Sequence, residues 1–144
     1  MRKVSSPILS LIFLLAGSLA VPLNIAGAQQ LDYDLAVQIS DISFVPNTFL
    51  VGTPVRIYAT IRNFGNKDMT GHVAFYLSQE LIGKEQVVSS RACGFPEDIF
   101  VDWTIPDREF NIAVKFIDTF PQDQNLDNNV SVTAVITPKK DTDG

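Results

Sequence analysis

The chain has 144 residues, of which 46% are hydrophobic and 19% are charged. This is enough for one domain with a real core and too little for two, which excludes a large multidomain enzyme. Eight glycines and eight prolines within a varied composition also exclude collagen-like, low-complexity and disordered chains.

The first 28 residues have the organisation of a secretory signal peptide. A basic start, Arg2-Lys3, precedes an almost entirely apolar run over residues 8–21, and the small residues Ala26-Gly27-Ala28 follow. We therefore predict a signal peptide over 1–28 and a mature chain that begins at Gln29. The alternative is an uncleaved membrane anchor, since this stretch is nearly long enough to span a bilayer.

Export determines the expected charge, compartment and partners. Cleavage lowers the number of basic residues from 11 to 9 and leaves all 16 acidic ones, so the mature net charge is −7. Because the basic residues are scattered along an acidic chain, we expect no nucleic acid partner and no stable membrane insertion after cleavage. We predict a secreted, periplasmic or cell-surface protein whose partner is a protein or a glycan.

Short strands at regular spacing follow along the mature chain. The clearest is 55–62, where Val55, Ile57, Ala59 and Ile61 alternate with polar or aromatic residues. The predicted strands are 34–43, 55–62, 71–78, 80–89, 98–105, 110–118 and 129–137, separated by turn residues that include Gly83. No helical apolar period extends over three turns. The pattern predicts an all-β, immunoglobulin-like antiparallel β-sandwich of seven or eight strands over 32–137, followed by an acidic tail over 138–144.

The alternation also predicts which side chains form the core. The expected inward positions are Leu35, Val37, Ile39, Val55, Ile57, Ile61, Val73, Phe75, Leu77, Ile99, Val101, Trp103, Ile105, Ile112, Val114, Phe116, Val130, Val132 and Ile136. The single cysteine, Cys93, permits no intramolecular disulfide. We expect it to be half-buried in a loop, although pairing with another chain or a nucleophilic role stays open.

Two pairs of residues are typical of structural turns. Asn63 and Gly65 follow the clearest strand, where the asparagine side chain can bond the turning backbone and the glycine can take a positive φ. Asn128 and Asn129 precede the last strand, where their amides can satisfy the polar groups of an entering loop.

Taken in order, these signals resemble the CARDB family, the cell-adhesion-related domain found in bacteria. The matching features are Asp34-Leu35, Gly52, Val55-Arg56-Ile57, Asn63 with Gly65, Val73 with Phe75-Tyr76, Ile82-Gly83, Trp103, Ile112 with Val114, Asp118 and Asn128-Asn129. They cover about residues 32–137. The resemblance implies an immunoglobulin-like sandwich in exported or surface proteins, without catalytic residues of its own.

Calcium is the one cofactor that the composition leaves open. Asp118, Asp123, Asn125 and Asp127 lie close together in sequence, and carboxylate and amide oxygens suit a hard cation. The alternative is a solvated acidic loop, which the absence of an EF-hand spacing there favours. Transition metals are improbable because His72 and Cys93 are the only histidine and cysteine.

Chemistry at other side chains has little support. Asp98 and Asp102 fall on one strand face, but no lid or glycine-rich loop accompanies them, so we expect no enzyme. Tyr58 and Tyr76 fall out of phase with the inward residues of their strands and are candidate ligand-binding residues. The leading prediction is an exported, non-catalytic module for adhesion, scaffolding or protein–protein contact. The alternatives are a carbohydrate-binding accessory domain and a calcium-rigidified spacer from a larger surface protein.

Overall fold

The computed structural model describes residues 27–141, which form two antiparallel β-sheets packed face to face. The strands are β1 (Leu35–Ala36), β2 (Ile42–Val45), β3 (Pro54–Asn63), β4 (Met69–Leu77), β5 (Glu80–Ser90), β6 (Glu97–Thr104), β7 (Ile112–Phe120) and β8 (Val130–Val132). The predicted all-β sandwich is confirmed. Residues 1–26 of the predicted signal peptide and 142–144 of the predicted tail lie outside the described residues.

The first sheet is built around β3. This strand pairs with β6 along one edge and with both β1 and β2 along the other. Its alternating sequence buries Val55, Ile57, Ala59 and Ile61 and turns the intervening side chains outward. The clearest strand of the sequence is therefore the centre of one layer.

The second sheet has the strand order β5-β4-β7-β8. A tight hairpin at residues 78–79 joins β4 to β5. Gly83, which we predicted in a turn, lies inside β5 with a φ of +72°, next to a β-bulge opposite Val73 and Phe75. The prediction was wrong because a glycine in this conformation also serves a bulge within a continuous strand.

The core fills the space between the sheets. Its largest fully buried side chains include Phe75, Phe110, Ile57 and Ile61. Trp103 is partly buried against this core, with its ring 5.3 Å from that of Phe110 in a T-shaped arrangement. Packing therefore joins the two sheets, and hydrogen bonds between them add to it, such as that from Gln86 Nε2 on β5 to the Phe100 carbonyl on β6 (2.8 Å).

The first predicted strand, 34–43, is interrupted. A 3₁₀ turn, Ile39–Asp41, separates β1 from β2, and Ile39 is 58% exposed rather than inward. The turn forms because the buried Asp41 carboxylate accepts hydrogen bonds from Arg62 Nη2 (2.8 Å) and from the backbone amide of Gln38 (3.1 Å). A local side-chain bond of this kind competes successfully with strand pairing.

Two other predictions about side-chain orientation are corrected. Val130 and Val132 were expected inside, but β8 pairs so that they lie on the outer face opposite Lys115 and Ala113, and Ser131 turns inward. Cys93 was expected to be half-buried and is exposed. It lies in the β5–β6 loop with a φ of +52°.

Gly65 is needed for a reason other than the predicted one. Its φ is not positive. Instead, a Cβ at this position would collide with the backbone of Asp32 and would lie 2.9 Å from the amide nitrogen of Asp34. The Gly65 amide also donates to Asn63 Oδ1 at 2.9 Å, so the turn closes tightly against the segment before β1.

Candidate functional site

The outer face of the second sheet carries an apolar row that crosses all four strands. Strand register places Leu81, Tyr76, Ala113 and Val132 side by side on β5, β4, β7 and β8. Leu81 is 46% exposed and Val132 is 43% exposed, while Tyr76 and Ala113 are half-buried. We call this surface, with the adjacent Lys115 and Val130, the four-strand face.

A single lysine lies in the middle of the four-strand face. Lys115 is adjacent to Val130 in the next row, and it makes no salt bridge within residues 27–141. Lys115, Tyr76, Ala113 and Val130, together with the polar Ser78 and Gln79, line a shallow hollow of about 250 Å³. The face therefore offers exposed apolar side chains beside one lysine, and it is the exposed apolar side chains that mark a surface able to contact another macromolecule.

A histidine–carboxylate pair forms one end of the same sheet surface. His72 Nδ1 lies 2.6 Å from Asp118 Oδ1 on the neighbouring strand. This hydrogen bond, and next the negative charge of Asp118, raise the pKa of His72 above 6.5. The pair is open to solvent and lines a hollow of about 320 Å³ together with Val87 and Phe120, so its geometry stabilises charge on the surface.

The outer face of the first sheet differs because its side chains bond one another. Arg56 makes two hydrogen bonds to Asp102, at 2.7 and 2.8 Å, and its guanidinium lies 4.1 Å from the centre of the Phe100 ring. Thr60 donates to Asp98 at 2.6 Å. The bond from Arg56 lowers the pKa of Asp102, so these two aspartates act as acceptors in separate contacts and not as an acid–base pair.

The two candidate ligand-binding tyrosines lie on different sheets. Tyr58 is on β3, where its ring centre is 5.8 Å from that of Phe100, and Tyr76 is on β4. Both rings point outward from the sandwich, in opposite directions. The structure therefore does not bring them together into one platform.

The acidic segment before β8 is held by hydrogen bonds to backbone groups of β1 and of the segment itself. Asp123 is buried, and its carboxylate accepts hydrogen bonds from the amides of Leu35 (2.9 Å) and Asn125 (2.8 Å). The Asn129 side chain, with its amide oriented as its neighbours require, donates to Asp123 Oδ2 (3.0 Å) and to the Leu35 carbonyl (2.6 Å). Burial raises the pKa of Asp123, and these bonds partly offset that effect.

The neighbouring residues extend the same structural connection. Asn128 donates to Asp34 Oδ1 at 2.8 Å, and the Gln124 side chain accepts from the amides of Asp32 and Tyr33 at 2.9 Å. Asn128 Oδ1 is buried without a partner among the described residues. The segment thus fastens the chain before β8 to the start of the domain.

The proposed calcium ligands do not converge. Asp118 is bound to His72, Asp123 is committed to backbone amides, and Asp127 is exposed. No group of three or more histidine, cysteine, aspartate or glutamate side chains in residues 27–141 is placed to hold a metal ion. This arrangement does not fit a calcium site.

Sequence reasoning missed Lys115, Ala113 and Gln124. The first two become significant only through cross-strand register, which two bulges in β4 and its neighbours shift. The Gln124 side chain accepts hydrogen bonds from the amides of Asp32 and Tyr33, which lie 92 and 91 positions earlier in the chain, and no local pattern signals such a contact.

No helix in the described part of the chain has the length and apolarity that crossing a membrane requires.

Comparison with known proteins identifies the fold. No family model and no curated protein matches the chain. Among solved structures, the CARDB domain of a Pyrococcus furiosus protein, solved in complex with di-metal ions, superposes with a TM-score of 0.60 at 18% identity, over 76% of this chain and 92% of that one. The fold is that of CARDB domains.

A second solved structure has the same fold. A domain from Methanosarcina acetivorans, in a protein named for the cell surface, superposes with a TM-score of 0.52 at 23% identity, over 74% of this chain and 92% of that one. The CARDB resemblance predicted from the sequence is therefore confirmed at the level of fold. At these identities the likeness concerns architecture alone.

Proposed function

We propose that this protein is an exported, non-catalytic immunoglobulin-like module that makes protein–protein contacts at or outside the cell surface. The contacts are made by the four-strand face. Adhesion and scaffolding are the roles that such a module serves.

The row Leu81, Tyr76, Ala113 and Val132 carries this proposal. An antiparallel sheet usually turns polar side chains to water, yet this row is apolar on all four strands. On the other sheet, the outward charges already bond within the chain through Arg56 and Asp102. Burial of the four-strand face would therefore gain free energy from apolar contact without breaking side-chain bonds of that kind.

Export is supported by the sequence pattern of residues 1–28. The acidic mature chain, with its single cysteine, also suits a free exported module stabilised by packing. A structural neighbour named for the cell surface is consistent with this location. The predicted cleavage before Gln29 can be tested by N-terminal sequencing of the exported protein.

Carbohydrate binding is a second candidate, favoured by the cluster of Phe100, Tyr58 and Arg56 on the other sheet. Phe100 is 45% exposed, and exposed aromatic rings can stack on sugars. On this alternative, Tyr58→Ala abolishes binding on a glycan array and Tyr76→Ala does not. An array without signal from the wild-type protein contradicts it.

Metal binding has less support in this chain. A CARDB domain has been solved with di-metal ions, but the acidic segment here uses Asp123 to bind backbone amides. The residues present therefore do not fit the calcium-rigidified spacer.

Photo-cross-linking in producing cells tests the proposed function. A photoreactive phenylalanine replaces Tyr76 on the four-strand face or, as the matched control, Tyr58 on the other sheet. Both tyrosines are half-buried on outward faces, so the two substitutions are comparable. We expect a discrete protein adduct from position 76 and none from position 58. No adduct at position 76, or equal adducts at both, contradicts the proposal.

A further inference from the structure

We propose that a hollow on the outer face of the second sheet, at the end opposite the row that contains Leu81, binds an uncharged sugar unit of a glycan. We call it the His72 hollow. The side chains that line it are Thr70, His72, Val87, Asp118, Thr119 and Phe120. This inference goes beyond the proposed function, because it concerns a different part of the sheet and a different class of ligand.

Strand register assembles the His72 hollow from β4, β5 and β7. Two adjacent rows cross these strands, with Val87, His72 and Asp118 in one and Ser89, Thr70 and Phe120 in the next. Polar side chains therefore lie in the middle, and an apolar side chain lies on each side. The volume is about 320 Å³, at the lower end of the roughly 300–1,000 Å³ of ligand pockets. This size suits one sugar unit of a longer glycan.

The histidine–carboxylate pair supplies the polar contacts. His72 Nδ1 and Asp118 Oδ1 bind each other at 2.6 Å, which fixes the orientation of both groups. Among residues 27–141 this is the hydrogen bond that each side chain makes, so His72 Nε2 and Asp118 Oδ2 are available to a ligand. The two side chains are 45% and 64% exposed. Polar atoms already held in place bind hydroxyl groups at a low cost in conformational entropy.

The charges around the pair favour an uncharged ligand. When His72 is protonated, it and Asp118 are neutral together and do not select a cation. An anion would approach Asp118 and also Glu85, whose negative charge acts on His72, in a mature chain of net charge −7. Hydroxyl groups both donate and accept hydrogen bonds, so they fit His72 in either protonation state.

Phe120 supplies the apolar surface on which the carbon face of a sugar ring packs. It is 77% exposed, and its carbonyl accepts a hydrogen bond from the Thr70 hydroxyl at 3.3 Å, which holds this end of β7 against β4. The Phe100 ring on the first sheet differs, because the Arg56 guanidinium lies 4.1 Å from its centre and covers one side of it. Phe120 is therefore the more accessible ring for stacking.

The openness of the His72 hollow predicts a weak site. Both members of the polar pair remain in contact with solvent, so we expect a Kd of about 1 mM for a single sugar unit. Several copies of the module on one surface would bind a repetitive glycan much more tightly.

An array that carries uncharged and acidic oligosaccharides, probed with the fluorescently labelled exported chain, tests this site. The disrupting variants are Phe120→Ala and Asp118→Ala. The matched control is Phe95→Ala, which removes a ring that is 97% exposed in the β5–β6 loop. Tyr58→Ala reports on the first sheet. Circular dichroism and thermal unfolding verify that the variants fold.

The wild-type protein, Phe95→Ala and Tyr58→Ala should bind at least one uncharged oligosaccharide. Each disrupting variant should weaken that binding about tenfold or more, because it removes either the stacking surface or the carboxylate acceptor. Titration of the wild-type protein with the bound oligosaccharide, followed by NMR, gives a readout without mutation. The largest chemical-shift changes should occur at His72 and Phe120.

A wild-type chain that binds no uncharged oligosaccharide overturns the inference, as does binding that either disrupting variant retains. Binding that Tyr58→Ala removes, or shift changes centred on the first sheet, also overturns it and favours the Phe100 cluster. The photo-cross-link at position 76 tests protein contacts separately. If that adduct forms while the array stays blank, the proposed function stands and only the His72 hollow fails as a glycan site.

Discussion

Asp123 connects the segment before β8 to the first strand, and its removal should be costly. Asp123→Ala leaves the buried amide of Leu35 and the buried side chain of Asn129 without their acceptor. An unsatisfied buried donor costs about 1–3 kcal/mol, so the two together cost about 2–6 kcal/mol. Part of this is returned, because burial disfavours the ionised carboxylate and raises its pKa. We expect a net loss of about 3 kcal/mol.

Chemical denaturation with a constant m-value measures this loss. With about 115 ordered residues and an unfolding entropy of roughly 2.1 cal/mol/K per residue, 3 kcal/mol corresponds to a decrease in Tm of about 12 °C. Asp123→Asn should lose less than Asp123→Ala, since it removes the charge and keeps an acceptor. The matched control is Asp127→Ala, which changes an exposed aspartate in the same segment and should have almost no effect. If Asp123→Ala unfolds as easily as wild type, the structural role of this carboxylate is refuted.

Three further predictions concern the turn, the surface pair and calcium. Gly65→Ala should destabilise the fold by about 1–3 kcal/mol, because its Cβ would meet the backbone of Asp32 and Asp34; unchanged thermal unfolding would contradict this close approach. The pKa of His72, followed by NMR, should exceed 6.5 and should fall in Asp118→Asn. Since the pKa of His72 is raised in the folded state, the stabilisation of the fold by the His72–Asp118 pair is complete below about pH 6.5 and is lost as the pH rises through the folded pKa. A pKa of His72 that Asp118→Asn leaves unchanged would exclude the pair as the cause of the shift. Millimolar calcium, or a chelator, should leave the Tm unchanged, and an increase with calcium would show that the acidic segment can rearrange to bind it.

The central strand of the first sheet was predictable because its sequence pattern and its burial agree. The alternation from Val55 to Ile61 identifies both a strand and its inner face. In the structure β3 covers these residues and buries the predicted inner face. The turn after it was also recognisable from Asn63 and Gly65. The physical reason for Gly65 was not, because it depends on a segment about 30 residues earlier.

The outer surface was less predictable because it depends on register. Val130 and Val132 look like core residues in isolation, and their pairing with β7 turns them outward. Likewise, Tyr58 and Tyr76 share a sequence pattern but lie on different sheets. Asp123 looks like a cation ligand until the amide of Leu35, 88 positions away, is placed against it. Each outcome is decided by contacts that are distant in sequence.

Methyl NMR with a soluble paramagnetic agent tests most directly whether the four-strand face is the contact surface. The relaxation enhancement of the Leu81, Val130 and Val132 methyl groups is compared between the exported protein alone and the exported protein mixed with surface proteins of the producing cells, with the exposed Val45 as the internal reference. We predict that the enhancement at the first three falls in the mixture while that of Val45 stays constant. Equal enhancement at all four residues in both samples would contradict a contact through this face.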